Sequence, residues 1–248
     1  MNLALTAGAA AAGAVAGWGS GFLGVYLEKA QGLEREEAEE RAEYEAEVVR
    51  KAEAARSAGE DPPAAEPWAG ERYGWTWIEL LLAPLLGAVS FGLFGARHGL
   101  TWIVAEDLLW VAVFIHVFTF DLKHRLILNV VTYPALPLAI VLAAVTPGLS
   151  LLQAVIGAAA VGGFFLVLHV ISRNGLGLGD VKLVALIGAV TGLGAAHYAA
   201  VDAVLAGVLL GGVVALLLVV TRIRSLKDPI PYGPFLCVGA VLVLYLSL

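Results

Sequence analysis

Two aspartates stand where apolar segments meet polar sequence, and their placement suggests acid–base chemistry. Asp121 ends an apolar run and precedes the charged segment 122–125, whereas Asp180 follows the glycines of 175–179. Ionisable groups at the edge of a membrane are costly, so they are candidates for function. If folding brings the two carboxylates together, burial and mutual repulsion lead them to share one proton near neutral pH. One carboxylate could then activate a water while the other protonates a peptide carbonyl, as in aspartic proteases.

A structural interpretation of the same residues also exists. The two aspartates could be unrelated interfacial groups, each paired with Lys123, Arg125 or Lys182. Alternating glycines at 175, 177 and 179 allow a positive φ or a close backbone approach at an unwound helix start. They equally fit a hinge in which Asp180 caps the next helix and Lys182 extends its ammonium to the lipid headgroups.

The composition indicates an integral membrane protein, with the lipid bilayer as its surroundings. Of 248 residues, 60% are hydrophobic and 15% are charged, against about 45–50% and 25% in soluble domains. The net charge of −6 is local, because residues 28–72 hold fourteen acids and seven bases. We interpret this region as one solvated segment, which argues against a nucleic-acid partner. A single cysteine, Cys237, excludes an internal disulfide and a cysteine-based zinc site, and we expect no bound metal.

Apolar runs of about 20 residues predict an all-α bundle of about eight transmembrane helices. We divide the chain into a first transmembrane helix (1–27), a charged cytoplasmic helix with a Pro/Ala-rich linker (28–76) and a membrane core (77–248). Glycines at 13, 17 and 21 would let a neighbouring helix approach the first span closely. The predicted spans are 3–26, 77–96, 101–121, 129–146, 151–172, 182–195, 197–220 and 231–247.

The distribution of Lys and Arg predicts the topology. Fourteen of these residues follow the odd-numbered spans, and only Arg97 follows an even-numbered span. This asymmetry predicts that the odd loops are cytoplasmic and that both termini lie outside. Asp121 and Asp180 would then lie at the same depth on the cytoplasmic side.

Three segments resemble those of the type IV prepilin peptidases, which are membrane aspartyl proteases of the GxGD type. Asp121-Leu-Lys-His-Arg-Leu-Ile-Leu-Asn129 and Gly177-Leu-Gly179-Asp180-Val-Lys182 resemble the two catalytic motifs. Ile230-Pro-Tyr-Gly-Pro-Phe-Leu236 resembles the segment that opens the family's last helix. The resemblance covers about 100–248 and implies that Asp121 and Asp180 are the catalytic pair.

The remaining motif residues are expected to support the site. Lys182 would either hold the ionised aspartate or extend to the headgroups, and Asn129 would cap the fourth span. Tyr232 and Gly233 would line the cleft or simply begin a helix. Gly177 and Gly179 would help form a wet cavity that admits unwound substrate backbone.

The resemblance also implies a substrate and a location. Such enzymes lie in the plasma membrane of prokaryotes, with the active site facing the cytoplasm. They cut type IV prepilin-like precursors between a basic leader and a hydrophobic helix, and proteolysis needs no cofactor. Many bacterial members carry a four-cysteine zinc site in their first cytoplasmic loop and methylate the new terminus with S-adenosylmethionine. Residues 28–76 contain no cysteine and therefore cannot form that zinc site, which puts methylation by this chain in doubt. We expect S-adenosylmethionine as a cofactor only if this chain methylates. Leu128 also stands where the family usually has proline.

Two other functions fit some of the same features. A proton-coupled transporter could use the two aspartates as a relay, although the sequence shows no inverted repeat of interrupted helices. An inert scaffold of a pilus or secretion assembly could use the acidic helix as its contact surface.

Overall fold

The computed structural model describes residues 3–57, 61, 73–99, 101–146, 150–172, 176–192, 199–223 and 230–247. Within these ranges the protein is helical and has no strand, which confirms the predicted all-α class. The elements are α1 (Leu3–Gln31), α2 (Leu33–Ser57), a π-helical turn (Ile78–Leu82) continuous with α3 (Ala83–His98), α4 (Trp102–His124), α5 (Asn129–Val145), α6 (Leu151–Ile171), α7 (Leu178–Thr191), α8 (Ala199–Val220) and α9 (Gly233–Ser247).

An apolar helix occupies each of the eight predicted positions, but the helices differ in length. Among the described residues, five helices are long and apolar enough to cross a membrane: α1, the π turn with α3, α4, α6 and α8. Helices α5 and α9 are shorter apolar helices, and α7 has only 14 residues. Helix α7 is short because it starts after Gly177 and ends at Gly192, whose φ of 73° favours glycine. A count of eight spans therefore stays a prediction.

Two helix boundaries differ from the prediction in a way that affects the site. Helix α4 continues to His124 instead of ending at 121, and α7 begins at Leu178 instead of 182. A prediction from apolarity alone ends a helix at the first charged residue, whereas the hydrogen bonds of these two helices continue past that residue. Asp121 and Asp180 consequently lie inside helices, in the last turn of α4 and the first turn of α7.

Glycines set the spacing between α1 and α3, as predicted from their repeat. A Cβ at Gly13 would overlap the backbone of Gly87, and a Cβ at Gly17 would overlap the carbonyl of Ala83. A Cβ at Gly21 would lie 2.8 Å from Glu79 Cβ. The first span therefore packs directly against the helix that follows the linker.

The bundle is buried at its centre and apolar at its periphery. Helix α4 contributes Val111 and Phe114, both 0% exposed, and α7 contributes a fully buried stretch from Leu183 to Ile187, interrupted only by a half-buried alanine. The outer helices expose large apolar side chains instead, such as Leu209 at 67%. This surface fits contact with lipid. Helix α2 is mostly exposed, as expected of a solvated helix, and its Glu47 and Lys51 form an exposed ion pair at 2.7 Å.

Candidate active site

Asp121 is held at the end of α4 by backbone groups on both sides. Arg125 adopts the left-handed conformation (φ 52°) and ends the helix, with its N–H donating to the Asp121 carbonyl at 2.8 Å. The Asp121 side chain is 4% exposed, and its carboxylate accepts a hydrogen bond from the backbone N–H of Gly233 at the start of α9. A Cβ at Gly233 would lie 2.5 Å from Asp121 Oδ2, so only glycine leaves room for this approach.

Asp180 is the third residue of α7 and interacts with the start of its own helix. Gly177 is the N-cap, and its backbone N–H donates to the Asp180 carboxylate. An acid at this position that reaches back to the N-cap forms half of a capping box. Negative charge is also favoured at a helix N-terminus, because the macrodipole is positive there.

The described glycines before Asp180 provide space rather than an unusual backbone angle. Gly177 has φ −66° and ψ 140°, which other residues can adopt. A Cβ at Gly177 would lie 3.2 Å from Asp180 Oδ2, and one at Gly179 would lie 3.1 Å from Ile127 Cβ. A positive φ is therefore not the reason for glycine at 177 or 179. Gly175 lies outside the described residues.

The two aspartates line one cavity of about 330 Å³. They come from helices far apart in the sequence, and they lie close enough to interact electrostatically. Most of the residues singled out from the motifs lie with them. The cavity is lined by Asp121, Arg125, Leu126, Ile127, Asn129, Gly177, Gly179, Asp180 and Lys182.

The two residues singled out at the start of α9 have different positions. Gly233 contacts the Asp121 carboxylate without lining the cavity. The Tyr232 ring instead packs near Phe235, with the ring centroids 6.4 Å apart, and close to Gly211 of α8. Tyr232 thus contributes to the packing of α8 against α9.

Lys182 and Asn129 form a link across the cavity wall. Lys182 Nζ donates to Asn129 Oδ1 at 2.7 Å and lies 4.8 Å from the centroid of the Tyr133 ring. The expectation that Asn129 caps its helix is wrong, because the N-cap is Leu128 and no side chain caps this end. The Asn129 side chain instead accepts a hydrogen bond from Lys182, and this bond links α5 to α7. Leu128 has φ −70°, within the range that proline adopts, so its replacement of the usual proline is compatible with the turn.

A buried ionic network lies two residues beyond Asp121, and the sequence did not predict it. Lys123 Nζ donates to Glu28 Oε1 at 2.6 Å, to Glu79 Oε1 at 2.9 Å and to the Gly74 carbonyl at 2.7 Å. The Lys123 side chain is only 4% exposed. His124 Nε2 lies 2.8 Å from Glu28 Oε1. The network therefore joins α1, the segment before α3 and the end of α4.

This network corrects two expectations. Lys123 is bonded to glutamates instead of to either aspartate. Glu28 is 0% exposed, so it does not belong to the solvated segment that the composition of residues 28–72 predicted. His124 is also buried. A signal existed in the sequence, since Glu28 continues the helical spacing of the glycine face of α1 and so points towards the same neighbours.

The site has no arrangement typical of a metal centre. Among the residues that the structure describes, no group of three or more His, Cys, Asp or Glu side chains could hold a metal ion. The charged side chains that line the cavity are two carboxylates, one ammonium group and one guanidinium group.

A helical bundle with an apolar periphery and an acid-lined polar cavity is the architecture of a multi-pass membrane protein. Residues 108–219, which include both aspartates, match the type IV leader peptidase family. The chain is 30% identical over 160 residues to a prepilin leader peptidase/N-methyltransferase of Bacillus subtilis (strain 168). The aligned region covers 64% of this chain and 63% of that relative, so the match spans less than two thirds of the relative's length. No solved structure matches the chain. Over residues 108–219 the chain is therefore similar to the type IV leader peptidase family.

Proposed function

We propose that the protein is an aspartic endopeptidase that removes the leader from prepilin-like precursors. The observation that carries this proposal is the cavity in which Asp121 and Asp180 meet at the ends of apolar helices. The family match supports the same chemistry, since the matched region 108–219 contains both acids. Hydrolysis by such a pair needs only water, so no cofactor takes part in proteolysis.

The ends of the two helices suggest which aspartate is ionised. Asp180 lies in the first turn of α7, where the positive end of the macrodipole stabilises a carboxylate. Asp121 lies in the last turn of α4, where the negative end favours the neutral acid. Asp121 is also the more buried of the two, since it is 4% exposed and Asp180 is half-buried. Asp180 is therefore the general base and Asp121 the general acid.

The reaction then follows from these protonation states. Asp180 takes a proton from a water held between the carboxylates, and that water attacks the scissile carbonyl carbon. Asp121 donates its proton to the carbonyl oxygen, which gives a neutral tetrahedral intermediate. When the C–N bond breaks, Asp180 gives the proton that it took to the leaving nitrogen, and Asp121 takes a proton back from a hydroxyl of the intermediate, so both starting protonation states are restored. The products are a leader with a new carboxylate and a mature chain with a new amine.

The substrate and its orientation follow from the same arrangement. A precursor with a basic leader and an apolar helix would place its helix among those of the enzyme and its leader in water. The scissile bond needs unwound backbone, which membranes tolerate only in a protein-lined wet cavity. The excess of Lys and Arg in the odd loops supports a cytoplasmic site in the plasma membrane of a prokaryote.

Co-expression with a prepilin-like reporter tests the proposal. The reporter carries a lysine-rich leader, a short junction and an apolar helix of about 20 residues, and mass spectrometry identifies the new terminus. We expect cleavage at the junction between leader and helix. Cleavage within the helix, or an intact reporter in membranes that contain the folded protein, contradicts the proposal. The same spectrum reports a mass increase of one methyl group if the chain also methylates with S-adenosylmethionine.

A further inference from the structure

An apolar groove runs along the outside of the bundle between α3, α4 and α9. It has a volume of about 260 Å³ and is open on one side. Its lining is almost entirely apolar and includes Leu93, Phe118, Cys237, Val241 and Tyr245. A volume just below the range of about 300–1,000 Å³ for small-molecule pockets suits a few side chains rather than a whole ligand.

The groove continues directly towards the aspartates along α4. Phe114 and Phe118 line it, and Asp121 follows at the next position of the same helical face. Phe118 precedes Asp121 by three residues, which is about 4.5 Å along the helix axis. The cytoplasmic end of the groove and the acid-lined cavity are thus about one helical turn apart.

Helix α9, which forms the other wall of the groove, also runs from the groove to Asp121. Gly233 contacts Asp121, and Cys237 and Val241 follow at intervals of four residues on the same face. Cys237 is 2% exposed and lies within electrostatic reach of both Asp121 and Asp180. It therefore connects the groove to the site.

We propose that this groove receives the first turns of the apolar helix of the substrate, immediately after the scissile bond. The inference rests on the proposed peptidase function. From Cys237 to Tyr245 the groove follows eight residues of α9, which is about 12 Å or roughly two helical turns. A helix that begins at the aspartates and runs along α9 would fill it with the side chains of one face. The polar cavity would hold the unwound junction, and the groove would hold the helix.

Photocrosslinking tests where the helix lies, and α3 offers a matched pair of positions. Leu93 lines the groove and is 51% exposed, whereas Leu85 is 60% exposed on the same helix and does not line the groove. A benzophenone amino acid replaces each leucine in turn in the Asp180→Asn background, and the full chain is reconstituted in lipid nanodiscs. The added peptide has a lysine-rich leader and an apolar helix of about 20 residues.

We expect an adduct with the peptide at Leu93 and an adduct with lipid alone at Leu85. A lipid adduct alone at Leu93 would overturn the inference and assign the groove to acyl chains. Equal peptide adducts at both positions would also overturn it, since the helix would then have no defined place.

A kinetic comparison separates this inference from the proposed function. Leu93→Trp fills the groove and should raise KM for the peptide at least tenfold, whereas Leu85→Trp should leave KM unchanged. If Leu93→Trp cleaves the peptide with a wild-type KM, the groove does not bind the substrate helix, and the proposed peptidase function is unaffected. If the peptide crosslinks at Leu93 but the wild-type protein never cleaves it, the result supports helix binding in the groove and refutes the proposed peptidase function.

Discussion

Replacing Gly233 with alanine should disable the site without unfolding the protein. The new Cβ would lie 2.5 Å from Asp121 Oδ2, while ordinary van der Waals contact begins at 3.4 Å. The carboxylate or the start of α9 must therefore retreat by about 0.9 Å. Because a misplacement of about 1 Å can cost about 10²-fold in rate, we expect kcat/KM to fall about 100-fold. This loss corresponds to about 2.7 kcal/mol of transition-state stabilisation.

Two other glycine substitutions provide the controls for Gly233→Ala. Gly212→Ala on α8 meets nothing within 4 Å, so it should keep full activity and gain up to about 1 kcal/mol of stability. Gly239→Ala on α9 would overlap the Ala203 carbonyl, so it should lower the melting temperature without touching the acids. The assay is cleavage of the reporter in detergent, with the thermal unfolding temperature measured in parallel. Wild-type kcat/KM in a folded Gly233→Ala protein would refute the proposed contact with Asp121.

Further predictions concern the two polar links beside the acids. Lys123→Met leaves two buried glutamates without their cation and should cost about 3–5 kcal/mol of stability, seen as a lower unfolding temperature. The matched Lys51→Met change removes only an exposed ion pair and should leave that temperature unchanged; equal effects of the two would contradict the buried network. Asn129→Ala and Lys182→Met should each lower kcat/KM, and the double variant should lose no more than either single variant. Additive losses would show that the two side chains act independently.

The sequence predicted the helices and the two aspartates because both depend on local patterns. Apolar runs of membrane length identify helices whatever their partners are. Asp121 ends one such run and Asp180 begins another, and the sidedness of Lys and Arg predicts that the two lie on the same side of the membrane. The glycine repeat of α1 likewise predicted close packing, although it did not identify α3 as the partner.

The partners of charged side chains could not be predicted, because they depend on distant parts of the chain. Lys123 and Glu28 are 95 residues apart in the sequence, and their ion pair exists only because α1 packs beside α4. The average composition of residues 28–72 also concealed that Glu28 still belongs to the buried face of α1. In the same way, Asn129 resembles a helix cap locally, whereas its partner lies 53 residues away. Local rules therefore identified the catalytic candidates but not the contacts that position them.

The central claim is that Asp121 and Asp180 act together on one water, and isosteric substitution tests it most directly. Asp121→Asn and Asp180→Asn should each abolish cleavage of the reporter while the unfolding temperature stays near that of the wild type. Asp107→Asn is the matched control, since it makes the same change on α4 about 21 Å from Asp121, and it should cleave at the wild-type rate. Wild-type cleavage by either of the first two variants would contradict the account.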